Sequence, residues 1–318
     1  MYHAFRMQPE NGIIATLKTR TKTMKSILFN EHATHGIFME ADITQPENIA
    51  AASRAALDAL AALQARYPED KIGLTIAFGA NFWGSLKHHV QAPELKNFPA
   101  YGKGATQAPA TQHDLLIHIQ SQNHDSNFTL AQDVLAAFGA AISVKTETHG
   151  FRRHEDRGLD GFVDGTENPH GDEKILSTAC NEHGGSYVLM QRYRHDLPKW
   201  NAYSVAEQEE SVARSKIANE EFSKDMRHPR SHIARTNIKE DGKGLKIVRR
   251  SLPYGNVSGE HGLAFIAYAA RLHNIEAQLQ HMFGDVADGL TDLLLERLTT
   301  AISGAYYFAP SKETLLDL

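Results

Sequence analysis

The chain has 318 residues, 42% of them hydrophobic and 22% charged, an ordinary globular composition that can supply a sizeable core. Its formal net charge of -5 argues against nucleic acid as the main partner, because a phosphate-binding surface needs a basic excess. The single cysteine, Cys180, excludes an internal disulfide and a multi-cysteine metal site. No apolar run approaches the roughly 20 residues that cross a bilayer, and no secretory signal pattern opens the chain. We therefore expect a soluble, cytoplasmic protein that does not bind a membrane.

The first half of the chain predicts alternating strands and helices. The predicted elements in chain order are a strand at 36–44, a helix from Pro46 through Leu63, strands at 72–80 and 114–120, a helix from Thr129 to Phe138 and a strand at 141–148. The order is therefore strand, helix, strand, strand, helix, strand.

The second half repeats this order. The predicted elements are a strand at 185–193, a charged helix from Val205 to Lys216, strands at 244–252 and 262–270, a helix from Asn274 to Phe283 and a strand at 301–310. The same Ala-Ile-Ser triplet opens the last strand of each half, at 141–143 and 301–303. The repeat predicts an α+β fold of tandem ferredoxin-like domains, which are antiparallel sheets with helices packed on them. We place an amino-terminal extension at 1–33 and the two domains at 34–165 and 166–318.

Several common catalytic motifs are absent. The sequence has no dinucleotide-binding glycine fingerprint, no Walker loop, no G-x-S-x-G elbow and no H-E-x-x-H helix. It also lacks C-x-x-C-H, which excludes covalently attached c-type haem. Gly242-Lys243-Gly244 follows an aspartate and precedes a predicted strand, so we interpret it as a hairpin turn rather than a phosphate-binding loop.

The most unusual segment is GFVDGTENP at 161–169, in which two glycines bracket an acidic residue. Glycines allow strained dihedral angles or a close approach of the backbone to a flat ligand. A tight loop between domains, with Asp164 as a capping residue, is the alternative interpretation. The residue pattern alone leaves both open.

The GFVDGT run at 161–166 is identified as the G-F-x-D-G-T signature of the dye-decolourising peroxidases. The resemblance extends over about residues 34 to 318 and includes SHIARTN at 231–237, IVRRSLPYG at 247–255 and GAYYFAP at 304–310. It is closest to the bacterial cytoplasmic branch without a Tat signal. The resemblance implies two ferredoxin-like halves, with haem b held mainly by the carboxyl-terminal half.

The resemblance also implies an iron ligand. Only His232 lies in the matching S-H-x-x-R-x-N context, and His228, next to a proline, is the local competitor. A neutral imidazole can bind iron through one nitrogen while the other donates to a carboxylate. Asp292 is the first candidate for that carboxylate, and Asp288 is the second.

On the opposite haem face, the resemblance implies that Asp164 handles the peroxide proton and Arg249 supplies a fixed positive charge. Neighbouring residues of a strand point to opposite faces, so only one arginine of the Arg249-Arg250 pair can serve. We expect Arg250 to be exposed to solvent and Ser251 to share the face of Arg249. Gly165 and Thr166 are further expected haem contacts.

The expected function is a haem peroxidase that reduces hydrogen peroxide and oxidises dyes, phenolic or porphyrin-like substrates. One alternative is a haem-handling protein that binds haem or releases its iron, and another is a ferredoxin-like binding module without haem. The family also suggests a homo-oligomer. The eight residues after Pro310 resemble no encapsulin-targeting tail, so no shell partner is expected. The sequence does not select a tyrosine or tryptophan for electron relay.

Overall fold

The computed structural model describes residues 26–318, whose strands are mostly joined in one ten-stranded sheet. The strands are β1 (His35–Ile43), β2 (Gly73–Phe78), β3 (Leu115–Ser121), β4 (Ile142–Phe151), β5 (Ser186–His195), β6 (Lys239–Glu240), β7 (Lys243–Gly244), β8 (Val248–Arg249), β9 (Leu252–Gly255), β10 (His261–Ala269), β11 (Thr299–Ala301) and β12 (Ala305–Ala309). The helices are α1 (Ser26–Phe29), α2 (Ile49–Arg66), α3 (Ala80–Gly84), α4 (His124–Phe138), α5 (Asp172–Ala179), α6 (Leu197–Ala202), α7 (Val205–Val212), α8 (His232–Thr236), α9 (Leu272–Phe283), α10 (Leu293–Arg297) and α11 (Lys312–Leu316).

The sheet closes on itself as an antiparallel barrel. The neighbour order runs β5-β12-β2-β3-β1-β4-β9-β10, and β10 pairs back to β5. The segments β2-β3-β1-β4 and β9-β10-β5-β12 each have the strand order of a ferredoxin-like domain, which confirms the predicted fold class. The halves meet where Phe308 pairs with Phe78 and where Gly150 pairs with Tyr254. Closure leaves few strand edges unpaired.

Alternating residues of the strands pack into two separate cores. On β1, Ile37 and Met39 belong to the core under the outer helices, whereas Phe38 belongs to the core inside the barrel. Leu57 and Leu60 of α2 complete the outer core on this half. The two-residue period of a strand therefore decides which side chains meet helices and which meet the opposite barrel wall.

The barrel interior also contains hydrogen-bonded polar side chains. Nδ1 of the fully buried His118 lies 2.7 Å from the hydroxyl of Tyr268, and its ring stacks on Phe38 with 4.6 Å between centroids. Burial lowers the pKa of His118 to about 3, so the ring is neutral at neutral pH. The hydroxyl of Tyr307 donates to the buried carboxyl of Glu40 over 2.7 Å, and burial raises the pKa of that carboxyl.

The largest departures from the predicted elements fall between 205 and 255. The charged helix ends at Val212 rather than Lys216, because Ala213 adopts a left-handed conformation with φ of 67°. The predicted strand at 244–252 is divided into β7, β8 and β9. The hairpin is confirmed, since β6 and β7 pair across Asp241 and Gly242, which both have positive φ. The predicted domain boundary at 165/166 lies in the connection between β4 and β5 and stays a prediction.

The expected exposure of Arg250 is wrong. Its relative exposure is only 4%, and its guanidinium donates to the carbonyl oxygens of Ile27, Leu28 and Arg249. Helix α1, from the segment predicted as an extension, covers this end of the barrel. Burial lowers the pKa of Arg250 to about 10. The side chain therefore joins the amino-terminal segment to the strand that carries Arg249.

Candidate active site

A cavity with about 1730 Å³ of open space, its mouth included, lies between the GFVDGT loop and the carboxyl-terminal half of the barrel. Its apolar walls include Leu189, Ile233, Leu263, Phe265, Leu279, Met282 and Leu294. Its polar lining includes Asp160, Asp164, Thr166, Arg214, His232, Lys246 and Arg249. Leu245, Lys246, Ile247 and Arg249 all reach the cavity, so residues 245–247 do not alternate between two faces as a regular strand would.

On one side of the cavity, His232 is the first residue of α8 and is held by Asp292. Its Nδ1 lies 2.6 Å from Oδ2 of Asp292, whose side chain is completely buried. The other carboxylate oxygen caps α10 by accepting the N–H of Leu294 over 2.8 Å. Because a carboxylate oxygen accepts, Nδ1 is the donor in this contact, and Nε2 is the ring nitrogen that does not contact Asp292.

The competing assignments for this side of the cavity are not supported by the geometry. Asp288 pairs instead with the guanidinium of Arg235, at 2.7 Å. His228 is not among the residues that line the cavity, and its Nδ1 accepts the N–H of Arg230 over 3.1 Å. The structure thus brings together His232 and the first of the two predicted carboxylates.

Asp164 and Arg249 meet elsewhere on the cavity lining. Nη1 of Arg249 lies 3.5 Å from Oδ1 of Asp164, and their side chains are 23% and 35% exposed. The same oxygen of Asp164 accepts the N–H of Gly165 over 2.6 Å. The φ of Gly165 is +83°, a conformation that favours glycine, so the signature glycine shapes the turn that presents Asp164. An acid and a permanent cation therefore share one part of the cavity.

The remaining predicted contacts divide into two groups. Thr166 lines the cavity, and its hydroxyl accepts from Nδ2 of Asn219 over 3.2 Å. Gly165 and Ser251 are not among the lining residues. Ser251 accounts for the break between β8 and β9, because its hydroxyl accepts the N–H of Ile266 over 3.1 Å in place of a main-chain oxygen.

Sequence reasoning missed Asp160, which also lines the cavity. Desolvation raises the pKa of Asp160 to about 6, and the nearby charge of Asp164 adds to the rise. The N–H of Phe162, which donates to Oδ1 of Asp160 over 3.0 Å, opposes it. A second acidic residue just before the GFVDGT glycine was the available signal. The pattern could not show that Asp160 lies in the cavity lining.

The cavity residues fit haem. Broad aliphatic and aromatic walls suit a flat porphyrin, and a neutral imidazole oriented by a carboxylate suits its iron. Arg214 and Lys246 in the lining suit the acidic propionates of the porphyrin. The single cysteine, Cys180, is outside the lining, so the donor set favours a histidine ligand.

Comparison with known proteins gives a consistent result over nearly the whole chain. Residues 25–152 match the family model "Dyp-type peroxidase, N-terminal", and residues 155–314 match "Dyp-type peroxidase, C-terminal". The "Dye-decolorizing peroxidase" of Mycolicibacterium paratuberculosis is 37% identical over 259 residues, which cover 79% of this chain and 73% of that protein. That of Brevibacterium linens is 36% identical over 260 residues, covering 79% and 70%.

Solved structures agree with these matches. A dye-decolorizing protein from Vibrio cholerae has a TM-score of 0.85 and 38% identity, covering 93% of this chain and 98% of its own. The encapsulated DyP-type peroxidase from Mycobacterium smegmatis has a TM-score of 0.84 and 35% identity, covering 90% and 95%. A DypB variant from Rhodococcus jostii RHA1 in complex with heme has a TM-score of 0.83 and 30% identity, covering 90% and 96%.

Proposed function

The chain belongs to the Dyp-type peroxidase family, and we propose that His232, Asp164 and Arg249 carry its haem-dependent peroxidase chemistry. The family assigns hydrogen peroxide and an organic reducing substrate to the reaction. Bound haem would supply an iron centre for the reduction of peroxide and the oxidation of the reducing substrate. The observation that carries the residue assignment is the presence of two groups in one cavity: the His232–Asp292 pair and the Asp164–Arg249 pair.

His232 binds the iron through Nε2 in this proposal. Its Nδ1–H donates to Asp292, which keeps the ring in one tautomer and one orientation. The buried carboxylate also increases the electron density on the imidazole, which favours cleavage of the O–O bond. Asp292 thus acts through His232 and does not itself contact the reactants.

Asp164 accepts a proton from bound hydrogen peroxide and returns it to the leaving oxygen. Arg249 cannot exchange protons at physiological pH, because a guanidinium stays charged. It stabilises the negative charge that develops on the peroxide as the O–O bond breaks. The 3.5 Å separation of the two side chains lets one peroxide molecule contact both groups. Thr166, in the same loop, completes the proposed contacts to haem.

No observation favours haem handling over peroxidase turnover. A carrier needs the iron ligand and the apolar walls, whereas an acid beside a fixed cation is specifically useful for heterolysis of peroxide. We infer that the reducing substrates are dyes, phenolic or porphyrin-like compounds. A homo-oligomer and a cytoplasmic location stay predictions. No helix among residues 26–318 has the length and apolarity that crossing a membrane requires.

Haem reconstitution tests the assignment. Purified protein titrated with haemin should bind one haem per chain and turn over peroxide with a phenolic or dye reductant. His232→Ala should lose most of the haem, whereas His228→Ala, the matched control, should keep the parent spectrum. Full haem retention with an unchanged ferric spectrum in His232→Ala would overturn the ligand assignment. Haem binding without peroxide turnover in the parent would favour haem handling.

A further inference from the structure

The main-chain N–H and carbonyl of Arg249 lie on the side of β8 that faces away from β10. Val248 pairs with Tyr268 and Arg249 with Ala267, and the N–H of Arg250 donates to the carbonyl oxygen of Ile266 over 3.1 Å. Successive main-chain groups of a strand point to opposite sides, so the N–H and carbonyl of Arg249 point away from β10. Another part of the chain must satisfy them, because unpaired main-chain groups are costly in a partly buried place.

The side chain of Asn168 satisfies both groups. Its Oδ1 accepts the N–H of Arg249 over 2.9 Å, and its Nδ2 donates to the carbonyl oxygen of Arg249 over 3.1 Å. A carboxamide presents a donor and an acceptor side by side, as an adjacent strand does. The carbonyl also accepts from the guanidinium of Arg250 over 2.8 Å. The N–H of Arg249 therefore has the carboxamide as its partner, whereas the carbonyl oxygen of Arg249 accepts from two donors.

Asn168 is in the turn that carries Asp164. Its own N–H donates to the carbonyl oxygen of Gly165 over 2.9 Å, which closes a turn from 165 to 168 directly after the acid. The carboxamide thus connects the main chain of this turn to the main chain of Arg249. This one amide, 81 residues before Arg249 in the chain, joins the loop of Asp164 to the strand of Arg249.

The ion pair between Arg249 and Asp164 is too weak to hold the two side chains in their observed positions. At 3.5 Å, the contact between Arg249 and Asp164 is longer than a charge-assisted hydrogen bond, and both side chains are partly exposed. Such pairs contribute little to holding two flexible side chains in place. A main-chain contact with two hydrogen bonds restricts Arg249 at its base and is the stronger constraint.

We propose that Asn168 is a positioning residue for the peroxide reaction: it holds the main chain of Arg249 so that the guanidinium stays beside Asp164. The inference rests on the proposed roles of Asp164 and Arg249. It predicts that removal of the carboxamide leaves haem in place and weakens only those steps that need the cation.

The experiment compares Asn168→Ala with Arg249→Leu and with the double variant, all reconstituted with haem. Asn168→Ala should keep the haem content and the Soret band, and should slow the second-order reaction with peroxide about 10-fold. The affinity of the ferric protein for fluoride, an anion that the same cation would stabilise, should fall in parallel. The double variant should be no slower than Arg249→Leu, because Asn168 acts through Arg249. Asn48→Ala, an exposed asparagine before α2, is the matched control and should equal the parent.

Asn168→Ser also removes the two-point contact, and it takes the place of the alanine variant if that variant does not fold. Parent-like peroxide rates and fluoride affinity in these variants, with Arg249→Leu impaired, would overturn the inference and leave the proposed function intact. Parent-like rates in Arg249→Leu as well would instead contradict the proposed function. A loss of rate in the double variant equal to the sum of the two single losses, as free energies, would contradict the inference, because Asn168 would then act independently of Arg249.

Discussion

Nδ1 of His232 lies 2.6 Å from Oδ2 of Asp292, although the two residues are 60 positions apart in the chain. The carboxylate is completely buried, and its second oxygen is used as the cap of α10 through the N–H of Leu294. Both oxygens therefore have fixed partners, so the imidazole is held by a group that cannot easily move. Asp288 is tied to Arg235 and does not compete for this contact.

Asp292→Asn should therefore weaken the reaction with peroxide by about 10- to 100-fold while some haem stays bound. A neutral amide can still accept from Nδ1–H, but it increases the electron density on the imidazole less than a carboxylate does. The reduction potential of the iron should consequently rise. Spectroelectrochemistry and stopped-flow mixing with peroxide measure the two effects. Asp288→Asn is the control and should keep the parent potential; equal shifts in both variants would contradict the assignment.

Arg249→Leu should slow the reaction with peroxide more than Asp164→Asn. Loss of an electrostatic stabiliser costs on the order of 3 kcal/mol of barrier, and loss of a proton shuttle about 10²–10⁴-fold in rate, so magnitude alone does not rank the pair. Water can replace a proton shuttle in a wet cavity, whereas water cannot replace a fixed cation. Stopped-flow mixing at matched pH, with haem bound in both variants, decides the order. Greater damage in Asp164→Asn would show that proton transfer dominates.

Cys180→Ser should retain most of the peroxidase activity. Cys180 caps the end of α5, packs against the core inside the barrel and is absent from the cavity lining. Serine has nearly the same shape, so the packing changes little. Steady-state turnover at equal haem content provides the measurement. A large loss of activity with haem intact would mean that the thiol takes part in the reaction.

The pH dependence of stability should depend on His118. The pKa of its ring is lowered from 6.5 to about 3 in the folded protein, so below pH 6.5 the unfolded chain binds a proton that the folded chain does not. The stability contribution is complete above pH 6.5 and falls by on the order of 1.4 kcal/mol per pH unit as the pH drops toward 3. Urea unfolding of the haem-free protein at pH 7 and at pH 5 should show the loss.

His118→Gln should flatten this dependence, although it lowers stability at pH 7 by removing the stack on Phe38. Comparison of the two proteins is essential, because the raised pKa of Asp160 acts in the opposite direction in both. A carboxyl with a raised pKa in the folded state gains stability as the pH falls. The same pH dependence in parent and variant would mean that His118 is not the group responsible.

The sequence by itself predicted the tandem ferredoxin-like fold. The spacing of apolar residues is a local property, and it determines both whether a segment forms a helix or a strand and which of its faces is buried. A continuous strand at 244–252 would place Lys246 on the face opposite Leu245 and Ile247, yet all three line the cavity. The local sequence pattern was a weaker predictor of strands where side chains replace main-chain hydrogen-bond partners. Ser251 interrupts the strand by bonding to Ile266, and this interruption has no periodic signal.

Tertiary structure alone decided the partners of the charged and polar groups. Asp292 and Asp288 look alike in sequence, and only the approach of the residue before α10 to the first residue of α8 brings one of them to His232. Arg250 looked exposed because its acceptors, the carbonyls of Ile27 and Leu28, belong to a segment more than 200 residues away. The amide of Asn168 likewise reaches Arg249 across 81 residues of the chain. Such contacts depend on the three-dimensional approach of distant segments, about which the spacing of residues in one segment carries no information.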